Sequence, residues 1–203
     1  MFMESLFLII ILLFSIIIHE VAHGAVANYL GDPTAKYSGR LTLNPIYHLD
    51  FFGSFLLPLM LIFIGSPFLI GWAKPVPVNP YNLRHPKKDM GKIAIAGPAV
   101  NFSIALFFAF IIRFFSIPEG LFVIFSFIIL INILLAVFNM IPIPPLDGSK
   151  ILFSFFPPSL QHIQTWMEQF SLFLFLGFLF LLFSETIPLF EAVSWIFNLM
   201  IGV

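Results

Sequence analysis

The sequence predicts an all-α polytopic membrane protein of about five to six membrane helices, with a small membrane-associated β or extended element after the first helix. Three observations carry this. The 203 residues are 60% hydrophobic and only 9% charged, with a mean hydropathy of +1.06, outside the range of soluble domains. Apolar runs repeatedly reach the roughly 20 residues that cross a hydrocarbon core. The charged residues gather between those runs, most densely over 72–92. A net charge of −1 gives a nucleic-acid partner no electrostatic support. Cysteine is absent, so there is no disulfide framework and no thiol nucleophile, and any metal must take nitrogen and oxygen ligands. The 29 phenylalanines suit lipid-facing and inter-helix surfaces.

Residues 2–29 make the first span. Glu4 is its only charge before His19, with no basic segment or small-residue cleavage site ahead of it, so the helix is expected to be retained rather than removed as a signal peptide. Gly31-Asp32-Pro33 ends it, because Gly caps a helix and Pro cannot continue one. Residues 34–50 are mixed, and the alternation around Arg40-Leu41-Thr42-Leu43 predicts an extended segment or small hairpin at the membrane surface, ended by Asn44-Pro45. Residues 51–71 are apolar but broken by Gly53, Pro58, Gly65, Ser66 and Pro67, which allows a full span or a re-entrant one. The run 72–92 carries Lys74, Arg84, Lys87, Lys88 and Lys92 against Asp89. The positive-inside rule makes it cytoplasmic, and Pro75, Pro77, Pro80 and Pro86 make it extended.

Two further spans follow, 91–115 and 121–140, joined by a turn at Ile117-Pro118-Glu119-Gly120 and carrying Asn101, Asn132 and Asn139. Three prolines within 142–145 exclude regular helix, so 139–148 reads as an unwound helix end that delivers Asp147 to a fixed place. A short helix at 149–156, a polar connector at 159–168 with His162 and Trp166, and a span at 170–183 come next. Residues 187–203 form a short span or an interfacial helix.

One stretch stands out from the apolar background. His19-Glu20-Val21-Ala22-His23 lies in the second half of the first span. Ionisable residues at membrane depth mark functional sites. Two histidines four apart share one helix face, and in H-E-x-x-H they hold zinc while the glutamate serves as general base. A hydrolytic zinc site needs a third protein ligand and one open position. Without cysteine the candidates are His48, His85 and His162 in loops, Asp50, Glu119, Glu168, Glu185 and Glu191 beside spans or turns, and Asp147. Asp147 is better placed, because two spans return it to the side of the basic run. The first helix then runs from outside to cytoplasm, and 51–71 must enter and leave by one face, which favours re-entry.

HEVAHG, AGPAVN (96–101) and NMIPIPPLDG (139–148), in that order, resemble the site-2 protease family of intramembrane zinc metalloproteases. The stretches GRLTLNP (39–45) and GWAKPVPVNP (71–80) are similar to its compact prokaryotic members, which lack PDZ and CBS modules. The resemblance implies a three-helix catalytic core and a single membrane-embedded domain over 1–203, with the core at about 2–156 and C-terminal helices at about 166–203. It implies that His19, His23 and Asp147 bind Zn2+, that Glu20 activates water, and that Asn139 hydrogen-bonds the substrate backbone. Asn44 is a further substrate-side candidate, and Asn101 one for either the substrate path or packing, since inter-helix hydrogen bonding serves Asn101 and Asn132 equally well. The implied partners are a transmembrane protein substrate and membrane lipid, in a prokaryotic cell membrane with the active site toward the cytoplasm. Ser149 departs from the second Gly of many members. The alternatives are a metal-binding transporter and a pseudoprotease that only binds membrane proteins.

Overall fold

The computed structural model describes residues 2–64, 74–184 and 186–202. Among them the regular structure is all helical. Helix α1 runs Phe2–Tyr29. It ends on Gly31 at φ 111°, a left-handed conformation that residues with a Cβ rarely adopt, after which the Asp32 N–H donates to the Ala27 carbonyl at 2.9 Å.

The buried Asp32 carboxylate then organises the next turn. It accepts from the Thr34 N–H at 3.1 Å and from the Thr34 hydroxyl, and starts the single turn α2, Thr34–Tyr37. The same carboxylate accepts from Asn79 N at 2.6 Å and Asn82 Nδ2 at 2.8 Å, stapling the end of α1 to the 79–82 loop. Burial pushes the Asp32 carboxyl up, but these bonds from Thr34, Asn82 and Asn79 outweigh it and hold it below the usual carboxylate range.

Of the extended segment or small hairpin expected over 34–50, the hairpin is not formed, since no strand occurs among the described residues, and irregular chain joins two short helical turns. Side chains take the place of a partner strand. Asn44 Oδ1 caps a 3-10 turn at Pro45–His48 by accepting from Ile46 N at 3.1 Å. Arg40 donates to the Tyr47 carbonyl, and the His48 ring bonds the Thr42 carbonyl at 2.7 Å. Asn, Asp and Thr satisfy backbone groups locally in this way, in competition with a ladder.

Residues 51–64 hold a π-helical turn, Phe51–Leu56, continuous with α3, Leu57–Phe63. The rest of 51–71, and with it the choice between spanning and re-entry, lies outside the described residues, as do Gly71, Trp72 and Glu185. Residues 74–79 are extended as expected. Helix α4, Pro86–Phe114, begins well before the expected start at 91, because Pro86 sits at N1, where its fixed φ suits a helix and no N–H is needed. Asp89 Oδ2 accepts from the His85 N–H at 2.9 Å and closes that end.

Helix α5, Glu119–Asn139, matches the expected span within two residues at each end. The proline-rich run ends one residue before Asp147, which opens α6, Asp147–Ser154, rather than lying in the unwound segment. Helices α7, Gln161–Gln169, and α8, Ser171–Phe183, form a pair bent by 71°, and α9 covers Leu189–Ile201.

Helices α1, α4 and α5 are long and apolar enough to cross a membrane, the bent pair α7–α8 would add a fourth span, and α9 is apolar but only 13 residues long. Helix α4 lies between α1 and α5, and α6 packs on its N-terminal half. Small buried residues along α4 (Gly91, Ala94, Gly97, Ala105, Ala109) let its neighbours approach closely, the usual device where apolar burial cannot drive helix association. Val193 of α9 seals the far end against Ala105, Ala109, Ile129 and Ile133.

Candidate metal centre

The geometry of the site starts from the helical repeat. His19 and His23 project from one face of α1 toward α4 and meet with ring centroids 4.6 Å apart. Asp147, at the first position of α6, is brought in from the other side because α6 packs on α4. Its Oδ2 lies 3.0 Å from His19 Nε2 and 3.0 Å from His23 Nε2. All three residues are buried. Among the described residues they form the one group of three metal-ligating side chains whose donor atoms converge, all within 4.8 Å of one another.

The other ring nitrogens fix what those donor atoms are. His23 Nδ1 bonds the Ile93 carbonyl at 2.7 Å, so it must be the protonated nitrogen. His19 Nδ1 bonds Asn101 Oδ1 at 2.6 Å. The Asn101 amide cannot turn over, since its Nδ2 donates to the Ser15 carbonyl at 3.2 Å and to Asn132 Oδ1 at 2.8 Å. Asn132 is held in turn, donating to Ser15 Oγ at 3.0 Å and to the Ile128 carbonyl at 2.9 Å. In their neutral form both imidazoles thus present Nε2 lone pairs toward a carboxylate oxygen. Three such donor atoms converging on one point make a set able to hold a cation between them. Ligands at about 2.0–2.1 Å in a tetrahedron stand about 3.3 Å apart, so the observed 3.0 Å spacings fit zinc with small adjustments. Backbone and amide partners behind ligating histidines are the normal second layer of such sites.

Glycines make the approach possible. A Cβ on Gly97 would fall 2.5 Å from His19 Cε1 and 2.6 Å from His23 Nε2, so the imidazoles lie directly on the α4 backbone. A Cβ on Gly148 would strike the Met140 and Ile141 carbonyls, the latter at 2.5 Å. Gly148 therefore serves a close backbone approach, as its position after Asp147 suggests.

Glu20 borders the same cavity, about 250 Å³, with His23, Val76, Asp147 and Lys150. Its Oε2 accepts from the Val76 N–H at 2.8 Å. Of the two places open to Asn101, the substrate path and the helix packing, it takes the second: it is fully buried behind His19 between α1 and α5, where it orients the ring. Asn139 donates to the Leu135 carbonyl of its own helix at 3.0 Å, and Asn44 caps its turn; neither joins the converging group. Nor do His48, His85, His162, Asp50, Glu119, Glu168 or Glu191.

Ser15, Gly97, Asn132, Val76 and Lys150 complete the site without having been singled out for it. Ser15 lies one turn before His19 on the same face, and Gly97 one turn before Asn101, so helical spacing carried a signal for both. Val76 acts through its backbone and left none.

Comparison with known proteins agrees with this geometry. The sequence profile described as "Peptidase family M50" matches residues 115–183, which include Asp147. A Bacillus subtilis protein named "Putative zinc metalloprotease YwhC" is 37% identical over 198 residues, covering 93% of this chain and 84% of the relative. A Mycobacterium tuberculosis protein named "Putative zinc metalloprotease Rip2" is 31% identical over 189 residues, 92% of this chain and 71% of the relative. No solved structure matches. With a converged zinc-compatible triad inside apolar helices and similarity along nearly its whole length, the chain belongs to peptidase family M50, the site-2 protease family of zinc metalloproteases.

Proposed function

We propose that the protein is an intramembrane endopeptidase that hydrolyses peptide bonds in or beside the membrane-spanning segment of a protein substrate, with His19, His23 and Asp147 holding the metal and Glu20 as general base. One observation carries this reading: the imidazole and carboxylate donors converge at 3.0 Å between apolar helices, with Glu20 on the wall of the same cavity.

Zinc, when bound, supplies a Lewis acid that polarises a peptide carbonyl and acidifies water at neutral pH. The protein's residues do the rest. Asn101 and the Ile93 carbonyl keep both imidazoles in the tautomer that offers Nε2. Glu20, held through Oε2, accepts the proton of the attacking water and passes it to the leaving amine nitrogen. A substrate helix hides its peptide bonds in i to i+4 hydrogen bonds and must unwind locally before cleavage. Asn139 and Asn44 are assigned to the exposed substrate backbone by family resemblance; both sit at breaks in regular structure, where an amide can exchange a local partner for a ligand. The basic run at 74–92, adjoining the cavity at Val76, supports a metal site on the cytoplasmic side of a prokaryotic cell membrane, among anionic headgroups.

The test uses the Glu20→Gln variant. It should keep about one zinc per chain, abolish cleavage, and trap membrane-protein substrates in the host membrane, identifiable by mass spectrometry. Cleavage that survives in Glu20→Gln overturns the role of Glu20, and a wild-type chain that binds no zinc overturns the metal assignment.

A further inference from the structure

The Asp147 carboxylate uses its two oxygens differently. Oδ2 faces both imidazoles at 3.0 Å, while Oδ1 accepts from Lys150 Nζ at 3.2 Å. The lysine lies three residues on, one turn along α6. An i, i+3 ion pair on a helix surface is common and of little consequence. This pair differs in setting. The Asp147 side chain is only 7% exposed, whereas Lys150 is 46% exposed and leans inward over it. Lys150 lines the metal cavity beside Glu20 and His23, and also an outer cleft of about 500 Å³ bounded by Lys87, Ser154, Gln161 and Glu168. It therefore stands where the cavity opens to the surface. Two other lysines of the region are engaged elsewhere: Lys92 pairs with Asp89 at 2.7 Å, and Lys87 donates to the Phe156 carbonyl.

A carboxylate can give a metal one oxygen or two. A hydrolytic site needs one position kept open, so a second oxygen from the protein would compete with water. A cation held on Oδ1 opposes this, because turning the carboxylate to offer both oxygens would break the Lys150 bond inside a largely buried site.

We propose that Lys150 is a positioning residue, which engages Oδ1 of Asp147 so that this carboxylate serves the metal through Oδ2 alone and the open position is preserved. The inference rests on the metal assignment made above.

The test compares full-length wild type, Lys150→Met and Lys150→Arg, loaded with Zn2+ for affinity and kinetics and with Co2+ for its visible spectrum. If the proposal holds, Lys150→Met retains its thermal transition and metal stoichiometry. Its Co2+ absorption weakens toward that of a more highly coordinated ion, and kcat falls about 10- to 100-fold, as for other partners of metal ligands, with KM little changed. Lys150→Arg, which keeps the cation, should recover the wild-type spectrum and most of kcat. A wild-type spectrum and kcat in Lys150→Met overturn the proposal. So does a change confined to KM, which would place Lys150 on the substrate, and so does equal loss in Lys150→Arg. An Asp147→Asn variant with undiminished metal affinity would instead overturn the metal assignment, which separates the two failures.

Discussion

The backbone N–H of Val76 donates to Glu20 Oε2 at 2.8 Å across 56 positions of sequence. The contact holds one oxygen of the glutamate at the wall of the cavity that His23 and Asp147 also line. The strap that carries it is tied at both ends, by Lys74 N to the His48 carbonyl at 2.8 Å and by Asn79 N to Asp32 at 2.6 Å. Pro75 and Pro77 hold the backbone extended on either side.

Removing that single N–H is a clean perturbation. Val76→Pro should lower kcat about 10-fold or more, the size expected for a hydrogen bond to a charged group, while zinc stoichiometry stays at wild type. Val76→Ala keeps the N–H and should lose much less. Equal kinetics in the two variants would show that the Val76 side chain matters and its N–H does not.

Gly97→Ala should cost metal before it costs fold. The added Cβ would sit 2.6 Å from His23 Nε2 and press on His19, so the rings must turn away from Asp147. Zinc content after dialysis should drop well below one per chain. Circular dichroism should still report wild-type helicity, because α4 is long and Ala favours helix over Gly.

The amide relay predicts a graded series. Asn101→Leu leaves His19 Nδ1 without an acceptor and should weaken zinc binding about 10- to 100-fold, read by competition with a chromophoric chelator. Asn132→Leu leaves Asn101 one donor contact, to the Ser15 carbonyl, so its effect should be smaller. The reverse order would contradict the relay.

Asp32 supplies a pH signature. Its folded pKa is lowered, so its contribution to stability is complete above the unfolded value of about 3.9 and is lost as pH falls through the folded value. Asp32→Asn, whose Nδ2 would face the Asn79 or Asn82 donors, should lower Tm at pH 7. The gap from wild type should narrow as pH drops below about 4. A gap that does not change with pH would mean the carboxylate charge contributes nothing.

The three converging side chains were legible in the sequence because their chemistry is costly anywhere else. His19 and His23 could not be solvated inside an apolar run, and Asp147 followed prolines that forbid helix. The long spans were legible for the same reason: α5 departs from the expected range by at most two residues. Residues 34–50 were misread because Leu-Thr-Leu alternates like a strand, yet Asp32, Asn44 and Arg40 bind the backbone themselves and leave no ladder to form. The start of α4 was misread because four prolines suggested extended chain throughout, while Pro86 suits the first helical turn. Asn101 was legible as a polar residue of either the substrate path or the helix packing, and the structure places it in the packing, because sequence does not say which face of a helix a partner will occupy. Lys150 and Val76 gain their meaning only from neighbours distant in sequence.

The relay from Ser15 through Asn132 and Asn101 to His19 also constrains movement. Each amide is fully buried and bonded on both its nitrogen and its oxygen. Sliding α4 by one turn, about 5.4 Å, would strand several donors in a medium with no water to replace them. The three central helices are therefore interlocked like a keyed shaft, with neither axial play nor rotation open to them at low cost. By contrast α8 and α9 meet the core mainly through apolar side chains, whose contacts carry no such register of paired donors and acceptors.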